Sequence, residues 1–246
     1  MKDLKTYITE VSSSLLYTTN RIQENKKLDT VAVKRYEAEF KNLTHGTETI
    51  KANNSNINEI LKAAINAYGN NANLNFIDVS NVTDMEALFM LSQFNGDISN
   101  WDVSNVKNMD SMFYNSKFNQ DISKWDVSKV EDMSCMFIYS QFNQDISNWD
   151  VSKVKDISLM FENSKFNGDI SKWDVSSVTN MAQTFADSKF NGDISNWDVS
   201  SVKDMYGMFA NSKFDQDISN WDVSKVKNLY KMFDKCPIKD EYKPKF

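Results

Sequence analysis

Residues 94–130 read FNGDISNWDVSNVKNMDSMFYNSKFNQDISKWDVSKV, and this stretch states one phrase almost twice. The phrase is F-N-x-D-I-S-x-W-D-V-S-x-V, and a segment rich in Met and Phe separates the two copies. Because this motif recurs through most of the 246-residue chain, the period of the repeat is the first guide to the fold.

The tryptophans give the period of the repeat, because they always stand 24 residues apart: Trp101, Trp125, Trp149, Trp173, Trp197 and Trp221. One further step back reaches Ile77 in FIDVSNV, which is the same phrase with Ile in place of Trp. Seven units therefore fill residues 73–240. A fixed period of this size is typical of a solenoid, in which each unit packs on its neighbours.

One unit, residues 97–120, shows the expected local structure. Ile98, Trp101 and Val103 follow the I-x-x-W-x-V spacing that a leucine-rich repeat writes as L-x-x-L-x-L, and the alternation in W-x-V predicts a strand. Ser104 is the predicted N-cap of a short helix. The apolar residues of that helix fall on one face: Val106, Met109, Met112 and Phe113.

The units together predict an α/β fold, a right-handed leucine-rich-repeat-like solenoid with a parallel sheet and a short helix in each 24-residue repeat. A single unit buries too little apolar surface to offset the entropy of ordering its residues. Stacking is therefore obligatory, and Trp packs on Trp, Met on Met and Phe on Phe. The six tryptophans are the predicted structural core.

The ends of the chain depart from the repeat. Residues 51–72 are expected to form an N-terminal cap helix that ends at Gly69, with one apolar stripe: Ile57, Ile60, Leu61, Ala64, Ile65 and Tyr68. Residues 1–50 are expected to form two amphipathic helices, the first through Leu4, Ile8, Val11, Leu15 and Ile22, the second through Val33, Tyr36, Phe40 and Leu43. Such short helices are expected to pack on each other and on the cap helix, or on a second copy, and the second alternative predicts a homo-oligomer through residues 1–50. A charged tail, residues 241–246, closes the chain.

Composition narrows the function classes. A formal charge of −6 and a pI near 5.0 argue against nucleic acid as a partner. The chain carries two cysteines, Cys135 and Cys236, and one histidine, His45, which argues against a disulfide framework, a zinc site or a metal cofactor. Neither a signal peptide nor an apolar run of about 18 residues is visible, so the sequence favours a cytoplasmic protein without membrane insertion.

The first candidate site is the column of aspartates that follow Trp: Asp78, Asp102, Asp126, Asp150, Asp174, Asp198 and Asp222. Strand alternation points them to the open face of the sheet, where Lys124 and Lys172 are expected to neutralise neighbouring carboxylates. This face suits a basic protein partner or a row of Ca²⁺ ions, or it is only a solvated ladder. Calcium needs six to eight oxygens per ion, and the glycine-rich nonapeptide of calcium-binding β-helices is absent from the sequence.

A second column of aspartates follows Asn-Gly, Asn-Gln or Asp-Gln: Asp97, Asp121, Asp145, Asp169, Asp193 and Asp217. Asn, Gly and Asp are turn formers, so these carboxylates are expected to bond nearby backbone rather than a ligand.

The phrase F-N-x-D-I-S-x-W-D-V-S-x-V-x-x-M-x-x-M-F resembles the BspA-like family of bacterial surface leucine-rich repeats, which includes the Mycoplasma-type repeat of unknown function. The resemblance covers residues 73–240, and NANLNFIDVSNVTDMEALF resembles the usual entry to such arrays. It implies a solenoid with roles in adhesion or protein recognition, a cell-surface location and no catalytic residues. Ile77, Ile157, Leu229 and Thr184 depart from the pattern.

Three functions follow as expectations, and none is catalytic, since the chain shows no Ser-His-Asp or Cys-His arrangement and no phosphate-binding glycine loop. The first is a protein-interaction or adhesion module that presents a regular acidic face to a protein partner. The second is a structural spacer or self-assembling element oligomerised through residues 1–50. The third is a calcium-dependent repeat array.

Overall fold

A computed structural model describes residues 29–42 and 49–245 of the chain. Within these ranges five regular elements follow in order: α1 (Thr30–Asn42), β1 (Ile50–Asn53), α2 (Ile57–Tyr68), β2 (Ile77–Asn81) and a 3-10 helix (Asp240–Tyr242). The helix predicted through Leu4 and Ile22 lies outside the described residues. None of the described helices combines the length and apolar composition that crossing a membrane requires.

The two N-terminal helices pack on each other ahead of the repeats. Phe40 of α1 lies against Tyr68 of α2, and the Tyr68 hydroxyl donates to the Phe40 carbonyl at 2.8 Å. Apolar residues recur every three or four positions in both helices, which places each apolar face toward the other helix. Gly69 ends α2 with φ +87°, and its N–H donates to the Ile65 carbonyl at 2.8 Å. Glycine adopts a positive φ without steric cost because it has no Cβ.

Strand β1 and helix α2 close the N-terminal end of the repeats. β1 pairs in parallel with β2, which is the strand of the first repeat. The Asn54 side chain then accepts hydrogen bonds from the N–H groups of Thr83, at 2.8 Å, and Asp84, at 3.3 Å. β1 and α2 thus occupy the places that a strand and a Met/Phe segment occupy in the first repeat. The apolar residues of α2 join the core of that repeat.

The repeats stack in register, with tryptophan on tryptophan. Each indole Nε1 donates, at 3.0–3.2 Å, to the carbonyl of the residue three positions before the tryptophan site of the preceding repeat, as Trp125 does to Ile98. The rings of Trp101 and Trp125 lie 6.4 Å apart and are within 3° of parallel. All six tryptophans are at most 4% exposed. The arrangement is compatible with a repeat solenoid.

The strand predicted in every repeat forms only in the first, as β2. In the second repeat the Trp101 N–H donates to the Ile98 carbonyl at 3.2 Å, and the Val106 N–H donates to the Val103 carbonyl at 2.9 Å. The same two turns recur down the stack. The first repeat makes the same two turns and still pairs with β1, so the turns alone do not exclude a strand. Between the later repeats the W-x-V segments form no ladder in the described chain, so the prediction of one long sheet is wrong, and the described sheet has two strands.

The helix predicted in every repeat is also wrong. In the second repeat the segment from residue 108 to 116 is a series of overlapping turns, in which the N–H groups of Met112, Tyr114 and Ser116 bond carbonyls three residues earlier. We call this segment and its equivalents the turn ribbon. The residue predicted to cap a helix, Ser104, instead donates its N–H to the Asp102 carboxylate at 3.1 Å.

The N–H groups between those turns point along the stack. In the second repeat four of them, each at an alternate residue, donate to carbonyls of the third repeat at 2.7–3.0 Å: Met109, Ser111, Phe113 and Asn115. An eight-residue helix would leave its first four N–H and last four C=O groups without intrahelical partners. The turn ribbon satisfies alternate donors through the next repeat instead, which explains why stacking favours it over a helix.

Two positions of every turn ribbon are left-handed. Their φ values lie between +48° and +60° and recur at a spacing of four residues: Ala87 and Leu91, Ser111 and Asn115, Cys135 and Tyr139, Leu159 and Asn163, Gln183 and Asp187, Gly207 and Asn211, Lys231 and Lys235. Each is the third residue of a turn, where a type II turn requires positive φ. The ribbon therefore accepts this strain in all seven repeats.

The core is continuous from α2 to the last repeat. Within the second repeat Phe113 stacks on Phe118 with ring centroids 4.4 Å apart, and Phe113 stacks on Phe137 of the next repeat at 5.6 Å. The equivalent phenylalanines continue both contacts down the stack. At the far end the tail folds back, and the Ile218 N–H donates to the Tyr242 carbonyl at 3.0 Å.

Candidate functional site

The aspartates that follow the tryptophan position form a regular column on the surface. Asp126 lies between Trp125 and Val127, both buried, so its own side chain faces solvent. The same alternation exposes the remaining members from the second repeat to the seventh, and leaves that of the first repeat partly buried: Asp78, Asp102, Asp150, Asp174, Asp198 and Asp222.

A local hydrogen bond holds each carboxylate of this column in one orientation. In every repeat the Asp Oδ1 accepts the N–H of the serine two residues later, at 3.0–3.1 Å, as Asp126 accepts from Ser128. Such Asx turns are a general use of aspartate in loops. The D-V-S triplet thus shapes the backbone and places a charge at the same point of every repeat.

The serine two residues later favours the ionised form of five of these aspartates, whose pKa values are lowered: Asp78, Asp126, Asp150, Asp198 and Asp222. Side-chain and backbone hydrogen bonds from Ser128 lower the pKa of Asp126, and Ser152 does the same for Asp150. Positive charge from Lys129 and Lys153 lowers the pKa of Asp126 further. At neutral pH Asp126 and Asp150 therefore carry their negative charges, and Lys129 and Lys153 lie close to Asp126.

The two lysines expected to neutralise this column act on the second column. Hydrogen bonds from Ser123 and Ser171 are the main causes that lower the pKa values of Asp121 and Asp169, and the charges of Lys124 and Lys172 lower them further. Neither lysine forms an ion pair within residues 29–42 and 49–245. Lys129, in the loop after Val127, supplies the electrostatic contact that had been expected from Lys124.

The second column repeats the same turn on the other side of the tryptophan. Each aspartate accepts the N–H of the serine two residues later at 2.9 Å, as Asp145 does from Ser147. These backbone hydrogen bonds lower the pKa of Asp145. The two columns, with Trp buried between them, form what we call the acidic face.

The acidic face is shallow and polar. Between the last two repeats a groove is lined by polar side chains only: Asp193, Ser195, Gln216, Asp217, Ser219 and Asn220. Across the part of the chain that the structure describes, no group of three or more His, Cys, Asp or Glu side chains is arranged to hold a metal ion. Cys135 and Cys236 are free thiols. The geometry suits contact with an extended cationic surface.

A third column of Asx turns was missed in the sequence. Its members alternate irregularly between Asp and Asn and open each turn ribbon: Asp84, Asn108, Asp132, Asp156, Asn180, Asp204 and Asn228. Consecutive members are joined by isolated parallel β-bridges. The Asn180 amide donates to the Asp156 carboxylate at 2.9 Å. The sequence does show an Asp or Asn at every 24th residue, but these positions fall in the segment that was predicted to be a helix.

A ladder of asparagines was also missed. The side-chain oxygen of Asn95 accepts the N–H of Asn119 at 2.8 Å, and each following asparagine repeats this bond at 2.8–3.0 Å. The F-N dipeptide of the repeated phrase is the signal that could have found it. This ladder joins each repeat to the next at a point just after the turn ribbon ends.

Among the partly buried carboxyl groups of the turn ribbon, Asp110 and Glu162 have the most strongly raised pKa values, and neither belongs to a column that the sequence repeats. Burial is the main cause that raises the pKa of Asp110 to about 7, with the negative charges of Asp132 and Glu86 adding to it. Burial, with the charge of Asp187, raises the pKa of Glu162 to about 7. Both positions vary between repeats, so the pattern gave no signal for them.

Comparison with known proteins agrees with the repeated architecture. A family model described as "Mycoplasma protein of unknown function, DUF285" matches residues 55–165 and again residues 138–243. No curated protein and no solved structure matches the chain. The two family matches overlap and together span α2 and all seven repeats. On this evidence the chain belongs to the Mycoplasma repeat family DUF285.

Proposed function

We propose that this protein is a non-catalytic interaction or adhesion module that binds a basic protein partner through one column of its acidic face, the aspartates that follow tryptophan. The observation that carries the proposal is the column of aspartates held in one orientation by Asx turns at every repeat. The hydrogen bonds that orient Asp126 and Asp150 also keep them ionised. A rigid row of like charges favours a partner with regularly spaced cations.

The finer identity is part of this proposal. The F-N-x-D-I-S-x-W-D-V-S-x-V phrase supports a BspA-like leucine-rich-repeat relationship, a right-handed coil and a place on the cell surface. Surface location agrees with a face that is uniform along its length, because such a face suits a repetitive target.

The test replaces Asp126, Asp150 and Asp174 with Asn in the full chain. Asn retains the side-chain oxygen that accepts the serine N–H, so the turns remain while three charges are lost. We expect the Kd for a lysine-rich peptide to rise about tenfold at low salt, since each exposed pair contributes about 0.5 kcal/mol. Isothermal titration calorimetry measures the change.

The matched control replaces Asp121, Asp145 and Asp169, in the neighbouring column, with Asn. It removes the same charge from the same three repeats, so a general charge effect would weaken both variants equally. Unchanged affinity of the first variant at low salt would exclude the column that follows tryptophan as the binding surface.

A second candidate, the structural spacer, has its own supporting observation. The ladders of tryptophan, asparagine and turn-ribbon hydrogen bonds join every described repeat to the next, which makes the stack a stiff rod. In this proposal self-assembly runs through residues 1–50, of which only 29–42 and 49–50 are described. Light scattering that finds a monomer at high protein concentration would rule out the self-assembling form.

A further inference from the structure

The turn ribbon has an open end at the last repeat. In each earlier repeat four alternate N–H groups donate to the carbonyls of the next repeat. The four equivalent N–H groups of the last repeat have no acceptor anywhere in the described chain: Leu229, Lys231, Phe233 and Lys235. A row of unpaired backbone donors is a template for the addition of another chain.

The apolar side chains behind this row are only partly covered. Leu229 and Phe233 are partly buried, whereas Phe209, the equivalent of Phe233 in the preceding repeat, is 0% exposed. The tail covers the other half of the end, where Ile238 is 5% exposed, and Lys243 of the tail lies over the Phe233 ring with Nζ 5.6 Å from its centroid. The half of the last repeat that carries the donors therefore keeps apolar surface that the earlier repeats bury.

A second copy of this chain does not fit the open end. At the N-terminal end α2 stands where a turn ribbon would stand, so no ribbon is presented there to continue the stack. Two open ends placed face to face would bring donors against donors. The occupant must be a different chain that offers carbonyl groups.

The path of the backbone limits what that chain can be. The donor row follows a series of turns with left-handed residues at Lys231, φ +58°, and Lys235, φ +54°. A flat β-strand does not follow this path, because its residues occupy the extended region. Another turn ribbon does follow it, as every internal contact between repeats demonstrates.

The charge of the open end indicates the net charge of the chain that binds there. Residues 217–245 contain seven lysines and five acidic residues, although the whole chain carries a formal charge of −6. Lys231 and Lys235 are exposed beside the unpaired donors. An acidic segment is favoured there, both by the lysines and by the exposed N–H groups.

We propose that the open end binds an acidic turn ribbon of the same repeat type, carried by another protein, which adds as the next coil of the stack. The four unpaired N–H groups would donate to its alternate carbonyls, and its Met and Phe side chains would cover Leu229 and Phe233. The surface differs from the acidic face and requires a partner of opposite charge.

The experiment uses the full chain and a synthetic peptide with the sequence of residues 77–94, which has three acidic residues and no lysine or arginine. Amide hydrogen exchange is followed with and without peptide. We expect exchange to slow at least about tenfold at the four open amides on binding. The amides of Met205, Gly207, Phe209 and Asn211, which already donate to the last repeat, should not change.

Charge reversal tests the site. Lys231→Glu with Lys235→Glu should weaken peptide binding about tenfold at low salt. The matched control, Lys203→Glu with Lys213→Glu, changes the same charge in the preceding repeat and should bind as the unaltered chain does. A peptide of scrambled sequence should bind neither protein.

Four results would overturn the proposal. These are no slowing at the open amides, protection of those amides before peptide is added, equal loss of binding in both charge variants, and equal binding of the scrambled peptide.

Discussion

The aspartates of this protein act first as backbone residues. Asp97, Asp102 and Asn108 of the second repeat each accept the N–H two residues later, so three Asx turns shape a unit of 24 residues. This use explains why D-I-S and D-V-S recur so faithfully. Any binding role of the acidic face is thus built on residues that the coil needs for its own shape.

The partly buried carboxyls make stability depend on pH. The pKa values of Asp110 and Glu162 are raised to about 7 in the folded protein, while the unfolded values are 3.8 and 4.5. Between those limits the folded state binds more protons, so the free energy of unfolding falls as pH rises from about 4 to about 7. We expect a loss of about 2 kcal/mol for each group after allowing for partial exposure.

Urea unfolding at pH 5 and pH 8 measures this loss. The variant Asp110→Asn with Glu162→Gln keeps both shapes without the titration, so its stability should change much less between the two pH values. The aspartates with lowered pKa lose their contribution only at more acidic pH, and do not account for the difference. Equal pH dependence in both proteins would contradict the assignment.

At the scale of the element, period and core were accessible from the sequence, and backbone conformation was not. The spacing of Met109, Met112 and Phe113 fits one face of a helix, and the same three residues are buried in the turn ribbon. Burial of these residues therefore does not distinguish a helix from a turn ribbon. Hydrogen bonds to the next repeat favour the turn ribbon, and a single unit does not contain them.

The second left-handed position of each ribbon is Asn or Asp in four of the seven repeats, which is a compositional signal, but the first position had none. Gly207 occupies this first position in one repeat, but Ala, Ser, Cys, Leu, Gln and Lys occupy the equivalent position in other repeats. Contacts along the stack fix the conformation, and the side chain has little influence. Of the acidic face, the column after tryptophan was foreseen and its serine partners were not, because a turn joins them where a strand was expected.

Gly207 provides a test of the turn ribbon. At φ +54° an added Cβ would lie 3.3 Å from Cγ of Gln183, in a conformation that disfavours side chains. We expect Gly207→Ala to lower the free energy of unfolding by about 1 kcal/mol in urea titration. The reverse change at the equivalent site, Ala87→Gly, is the control. Relief of backbone strain there offsets the lost methyl contact, so stability should change by less than about 0.5 kcal/mol. A more stable Gly207→Ala variant would argue against a left-handed residue here.

The whole molecule is a one-dimensional stack in which each repeat contacts only its neighbours. Deletion of residues 145–168 removes one complete unit and joins two equivalent surfaces. We expect the shortened chain to fold and to melt in one cooperative transition at a lower temperature. Deletion of residues 145–156 alone removes half a unit, so turn ribbons would face the Asx turns of the neighbouring repeat. We expect this deletion to prevent cooperative melting. Circular dichroism follows both, and equal behaviour of the two deletions would contradict in-register stacking.

The stack of indoles has an optical consequence. Trp173, Trp197 and Trp221 lie nearly parallel, with successive ring centres 6.5 and 6.4 Å apart. Like chromophores at such separations exchange excitation energy faster than they emit light. Absorbed ultraviolet light should therefore migrate along the stack of indoles before emission. A single quencher placed beside Trp221 would then dim more than one indole, so the protein carries a built-in reporter of events at its C-terminal end.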